Sequence, residues 1–314
     1  MLTRRSTVRL LPAVLLAAAL SLAGCGSSNS SGNTATSSGW DGVTVSGDVG
    51  SAATIAFKGQ VTDQTTTTKV LIEGTGPVVQ NGDNVILQTV IGDGYTQKTA
   101  ADSYKDRAPQ VVPLTDSVPE IFRSAIEGKK VGTRVAIYTT ADKVFGTQGN
   151  PTLQIGNKDA VVLVLDIVGI PLDGPNGASH PSPSWAPKVV EKNGVVTGLD
   201  FKGTPKPDGA LHSAAIRSGT GDAVKAGQTI VVHYLGSVYG ASKPFDENFS
   251  GAPISFQIGA GKVIKGWDQS LVGRKVGSRV MLAIPPKDGY GSQKQNGIPA
   301  NSTLYFVVDI LWAG

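Results

Sequence analysis

This chain is poor in cysteine, histidine, charged residues and long apolar runs, and each shortage excludes something. It has one cysteine, Cys25, in 314 residues. That rules out an intramolecular disulfide and a cysteine-rich metal site. Its three histidines, His180, His212 and His233, are scattered, so no metal-ligand spacing forms and no metal is expected. Charged residues make up only 17%. The formal net charge of +4 is largely carried by Arg4, Arg5 and Arg9, in a leader with no acidic residue. Without those three, 25 Lys and Arg face 24 Asp and Glu, which gives no support to nucleic-acid binding. After residue 24 no long apolar run remains, so no later segment is expected to cross a bilayer. What is abundant is glycine (40) and proline (18), the signature of strands and turns rather than helical bundles.

Residues 1–24 read as a secretory signal. The arginines precede the apolar run Leu10 to Leu20, which is too short for a comfortable membrane span. The run ends in Leu22-Ala23-Gly24-Cys25, which resembles the bacterial lipoprotein signal. That resemblance implies cleavage before Cys25, lipidation of its thiol, and a protein held at the outer face of the cell membrane. Arg4-Arg5 leaves open whether export is general or by the twin-arginine route. Residues 25–39 are almost wholly Ser, Gly, Asn, Thr and Ala after the cysteine and are expected to act as a tether of roughly 20 Å root-mean-square span.

The remainder is an internal repeat. Leu71-Ile-Glu-Gly74-Thr-Gly76 matches Ile216-Arg-Ser-Gly219-Thr-Gly221 at a spacing of 145 (216 − 71). The same spacing relates Gly82 to Gly227, Ile126–Val135 to Leu271–Val280, Phe145-Gly146 to Tyr290-Gly291, and Trp40 to Trp185. Near the ends it slips to 143, with Val164-Leu-Asp-Ile167 against Val307-Val-Asp-Ile310. Domain one is therefore expected over 40–172 and domain two over 185–314, joined by a Pro- and Gly-rich linker at 173–184. Each copy has several β-rich runs and one short helical segment. In domain two that segment is expected to run from Trp267 to Val272, apolar at 267, 271 and 272. The fold class is α+β, an antiparallel sheet holding one helix. The lead-ins (Val43–Val45 with Thr54–Phe57, and Val195–Val196 with Leu199–Phe201) are expected to add a strand or pair to each sheet.

Domain two brings together Val231-Val-His-Tyr234, Phe245-Asp246, Pro253-Ile254-Ser-Phe256, Val263-Ile264-Lys-Gly-Trp267, Tyr290-Gly291 and Gly297-Ile298 to Phe306. In order and spacing, over about 100 residues, these motifs resemble the FKBP-type peptidyl-prolyl cis-trans isomerase family. The resemblance implies two tandem FKBP-like domains, each a curved antiparallel sheet wrapped around a short α-helix. It also implies a pocket floored by Trp267 and walled by Tyr234, Phe245, Val263, Ile264, Tyr290 and Phe306. The catalytic set would be Tyr234, Asp246, Tyr290, Trp267 and Phe306. Phe245, Ile254, Phe256, Val263, Ile264 and Ile298 would contact substrate. Tyr290 and the Ile264 amide would donate to substrate carbonyls, and Asp246 would orient the Tyr234 hydroxyl. No cofactor is needed, because rotation about an X-Pro amide makes and breaks no covalent bond. An apolar cavity disfavours the charge-separated planar amide. The partners implied are unfolded or partly folded exported proteins with X-Pro bonds, and macrolide ligands. Ile254 departs from the family pattern, standing where many members carry an aromatic.

Domain one departs further. At equivalent positions it has Thr89 for Tyr234, Phe122 for Trp267, Phe145 for Tyr290, Leu163 for Phe306, Ala100-Ala101 for Phe245-Asp246, and Val118-Pro119 for Val263-Ile264. Pro119 has no amide hydrogen to donate. A weak or inactive copy, serving as a binding arm or spacer, is expected. The alternative for the whole chain is a non-catalytic chaperone or peptide-binding lipoprotein on the same scaffold. A solute-binding lipoprotein is disfavoured, because no βαβ alternation is present.

Overall fold

The computed structural model describes residues 39–314. The leader, the lipidation candidate Cys25 and tether residues 26–38 lie outside the described residues. The chain divides into two compact units, the first ending at Ile170 and the second beginning at Pro171.

In the first unit, β1 (Val43–Ser46) and β2 (Thr54–Phe57) form a hairpin. There follow β3 (Thr67–Ile72), β4 (Asn84–Asp93), β5 (Lys98–Asp102), β6 (Gln110–Pro113), α1 (Glu120–Ile126), β7 (Arg134–Thr140), α2 (Ala141–Phe145) and β8 (Ala160–Gly169). The antiparallel sheet runs β3-β7-β8-β4-β5, with β6 also paired to β4. Side chains alternate across a strand, so Val135 and Ile137 of β7 face Ala125 and Ile126 of α1. Ala136 and Tyr138 face the other way. Both faces are apolar, and each needs a cover.

The second unit repeats this plan. After β9 (Ala178–Ser179) and the hairpin β10 (Lys188–Lys192) and β11 (Val195–Asp200) come β12 (His212–Ser218), β13 (Thr229–Val238), β14 (Asp246–Glu247), β15 (Ile254–Gln257), α3 (Lys265–Leu271), β16 (Arg279–Ile284) and β17 (Leu304–Ala313). The sheet order is β14-β13-β17-β16-β12-β9, with β15 on β13. The register recurs as well as the order. A break between Val70 and Ile72 in β3 returns between Ala215 and Arg217 in β12, and one at Ile86/Leu87 in β4 returns at Val231/Val232 in β13. The repeat in sequence is thus a repeat in backbone geometry, bulges included.

Three expectations need correction. The lead-in hairpins do not join the main sheets. Each is a separate two-stranded sheet lying across the face away from the helix. Val43 and Ile55 cover Ala136, Tyr138, Val162 and Val164 in one unit; Val196 and Leu199 cover Leu235, Met281, Tyr305 and Val307 in the other. The reason is that the central strands are apolar on both faces, so the second face must be buried. Secondly, the helix of domain two begins at Lys265, with Trp267 as its third residue, and Gly273 (φ +84°) follows its end in the left-handed conformation. Thirdly, domain one has a second helix, the five-residue α2, where domain two has the single turn Pro286–Asp288. Part of the 173–184 stretch is also drawn into structure. Ala178 and Ser179 pair with Ser218 and Arg217, and the Asn176 amide nitrogen donates to Gly277 at 2.8 Å.

Candidate active site

The site candidates of domain two meet between α3 and the face of the sheet that α3 covers. Tyr234 and Gly236 lie two apart on β13 and share that face. Phe306 enters from the paired strand β17, opposite Gly236. Trp267 descends from α3. This close approach depends on two glycines. A Cβ on Gly266 would come within 2.5 Å of the Ile284 side chain, so a larger residue would lift the helix off β16. A Cβ on Gly236 would lie 2.6 Å from both the Phe245 and Phe306 rings.

The aromatic groups form one connected box. The Trp267 ring centroid lies 5.4 Å from Tyr234 and 5.2 Å from Phe306, nearly edge-on to both, and 5.2 Å from Phe256 in a tilted arrangement. Phe245 stands edge-on to Phe306 at 5.7 Å. Such edge-to-face packing adds attraction beyond burial and fixes the rings in place. Tyr234, Trp267, Phe306 and Ile298 are buried, whereas Phe245, Ile254, Phe256, Val263, Ile264 and Tyr290 are partly open. The first group is floor and inner wall; the second is rim.

Polar groups are few and oriented. The Tyr234 hydroxyl donates to Asp246. Burial, then that hydrogen bond, raises the Tyr234 pKa far above the usual phenol range. The Tyr290 pKa is raised too, by burial and then by the charge of Asp246. Among the described residues the Tyr290 hydroxyl donates to nothing. Nor does the Ile264 amide, which lies just ahead of α3, where helix geometry leaves N–H groups unpaired. The Trp267 indole N–H is likewise buried without a partner. The site is therefore an apolar box with unused donors.

Sequence reasoning missed two residues that hold this box. Asn248 accepts from the Tyr234 amide at 2.6 Å and donates to the Val232 carbonyl at 3.1 Å, pinning the loop that bears Phe245 and Asp246 to β13. Its counterpart Ser103 accepts from the Thr89 amide at 2.7 Å, a recurrence the 145-residue spacing could have exposed. Asp268 accepts from the Gly259 and Gly261 amides at 2.6 and 2.9 Å, fixing the turn before Val263.

In domain one the same face carries Phe122, Phe145 and Leu163 among aliphatic neighbours. The Phe122 amide donates to the Pro119 carbonyl at 2.9 Å, as Trp267 does to Ile264 at 2.9 Å. The backbone is preserved and the side-chain donors are gone. Asp102, near the position of Asp246, instead accepts from the Tyr104 and Lys105 amides in its own turn.

A family model described as FKBP-type peptidyl-prolyl cis-trans isomerase matches residues 221–311. An FK506-binding protein of Streptomyces anulatus is 41% identical over 116 residues, covering 36% of this chain and 93% of that protein. FK506-binding protein 4 of Mycosarcoma maydis is 41% identical over 124 residues, covering 40% of this chain; the chain spans only 33% of that relative's length. Among solved structures, FkpA from Escherichia coli is similar at 37% identity over 34% of this chain and 53% of that one, with a TM-score of 0.31.

Proposed function

The chain belongs to the FKBP-type peptidyl-prolyl cis-trans isomerase family, and on that premise we propose that the α3 pocket of domain two carries its catalysis. The observation that supports this most directly is the pair of unused donors, the Tyr290 hydroxyl and the Ile264 amide, beside a connected aromatic box.

An X-Pro bond takes tens to hundreds of seconds to isomerise unaided, because rotation must break amide resonance. A proline ring seated on Trp267 between Tyr234 and Phe306 leaves the preceding amide in a dry, apolar surround. The planar amide, with its separated charge, loses hydration there, whereas the twisted amide loses less. The Ile264 N–H and the Tyr290 hydroxyl hold carbonyls either side of the bond, so that one end is fixed while the other turns. Asp246 keeps the Tyr234 hydroxyl engaged and faces the carbonyl region. Binding energy realised only in the twisted state lowers the barrier.

Domain one serves as a binding arm or spacer, since Pro119 and Phe145 supply neither donor. Clients are unfolded or partly folded exported proteins with X-Pro bonds. The same box accepts macrolides, a reading prompted by the name FK506-binding protein of the relatives. The leader and Cys25 support export and lipid anchoring at the outer face of the membrane. Cys25→Ala is expected to release the protein from the membrane fraction; a variant that stays membrane-bound contradicts the anchor.

The test of catalysis is exchange NMR on an X-Pro peptide. Tyr290→Phe removes one hydrogen bond worth about 1 kcal/mol, so kcat/KM should fall roughly 5- to 10-fold with folding unchanged. An unchanged kcat/KM removes Tyr290 from the mechanism.

A further inference from the structure

The two proposed donors sit on separate segments. Ile264 precedes α3, and Tyr290 rides on a string of tight turns from Pro285 to Gly291, closed by Asp288 N–H to Pro285 O at 3.0 Å and Gly291 N–H to Pro286 O at 2.8 Å. No strand pairing joins them. Apolar packing holds the segments together, and one ion pair bridges them. Lys265 Nζ, on the residue after Ile264, lies 2.9 Å from Asp288 Oδ1, two residues before Tyr290. The carboxylate is 6% exposed and the lysine 64%. A buried carboxylate needs a partner charge. A lysine in the first turn of a helix opposes the helix dipole, which a nearby carboxylate offsets.

The repeat provides a comparison inside the same chain. At the 145-residue spacing Lys265 becomes Glu120 and Asp288 becomes Lys143, so the charges are reversed. There the two do not pair. Glu120 engages Arg123, with a 3.1 Å hydrogen bond from its Nε, while Lys143 donates to Thr66 Oγ1 at 2.7 Å. The bridge is present in the domain that has both donors and absent from the domain that has neither.

We infer that the Lys265–Asp288 ion pair is a positioning clamp that sets the spacing between the Ile264 amide and the Tyr290 hydroxyl. It touches no substrate and acts through those two donors. The inference rests on the isomerase reading of the pocket for its consequence, but not for its geometry, and the experiment separates the two. Full-length protein in detergent is compared with Lys265→Gln, Asp288→Asn and the exchanged pair Lys265→Glu/Asp288→Lys. Lys265 is exposed, so Lys265→Gln is expected to fold even where Asp288→Asn does not. The first readout is NMR of the Ile264 amide and the Tyr290 ring without substrate. Both signals should move in either single variant, while Leu235, on the opposite face of the sheet, stays still. The second is kinetic. Each single variant should lose about 3- to 10-fold in kcat with KM changed less than twofold, and the exchanged pair should recover at least half of the loss on a logarithmic scale. Stationary Ile264 and Tyr290 signals overturn the clamp. So does a kcat that moves only as far as the folded fraction does. Wild-type protein without activity overturns the isomerase reading instead, and the NMR readout still decides the clamp.

Discussion

At the scale of single residues the pocket is sensitive where backbone and ring are in contact. Gly236→Ala places a methyl where the Phe245 and Phe306 rings already stand. We expect kcat/KM to fall at least about 5-fold, since overpacking of this kind costs roughly 1–3 kcal/mol. Gly251→Ala, which meets nothing within 4 Å, should leave it unchanged. Equal effects of the two would show that the close approach is unimportant. Protonation sets a second expectation. The donor role proposed for Tyr290 requires its proton, and burial with the Asp246 charge raises its pKa. Its donor role is therefore complete below the ordinary phenol pKa and lost only above it. A kcat/KM profile flat from about pH 6 to 9 follows, and a fall across neutral pH would contradict it. The aromatic set was legible from the sequence only through its joint order and spacing, which resemble the family's; each ring by itself reads as core. Asn248 and Asp268 were not, because short polar side chains take whatever backbone donors the loops bring to them.

At the scale of elements, the hairpin covers depend on an ion pair that recurs with the repeat. Arg134 binds Asp166 through two hydrogen bonds of 2.7 and 2.6 Å, with side chains 1% and 2% exposed. It also donates to the carbonyls of Gly47, Asp48 and Ser51 at the β1–β2 turn. The Tyr104 hydroxyl donates to the same carboxylate. In domain two Arg279 binds Asp309 likewise, and reaches Glu191 of β10. Arg134→Leu strands a buried carboxylate and frees the hairpin turn, so the domain-one transition in denaturant should lose about 3–5 kcal/mol. Arg134→Leu/Asp166→Leu should lose less than the single change. A single variant as stable as wild type would show that the hairpin is held by apolar contacts alone. The helix and the main strands could be read from periodicity and the repeat. The hairpin's place could not: alternation shows that a four-residue strand has an apolar face, but not which surface covers it. The usable signal lay in β7, whose run Val135-Ala-Ile-Tyr138 is apolar on both faces.

At the scale of the whole molecule, one backbone plan occurs twice and the pocket groups occur once. The duplicated bulges bend corresponding strands at corresponding places; the differences include the residues facing the pocket. No helix among the described residues is long and apolar enough to cross a membrane. The proposed attachment rests on the Leu22–Cys25 motif of the sequence. On the proposed reading, domain two's pocket alone turns over X-Pro bonds. The measurement is the isomerisation rate of an X-Pro peptide with full-length protein, with the Trp267→Leu/Asp246→Ala variant, and with the Phe122→Leu variant of domain one, each verified as folded by circular dichroism. Wild type is expected to accelerate isomerisation, Phe122→Leu to match it, and the domain-two variant to be indistinguishable from no enzyme. Full activity in the folded domain-two variant would contradict it.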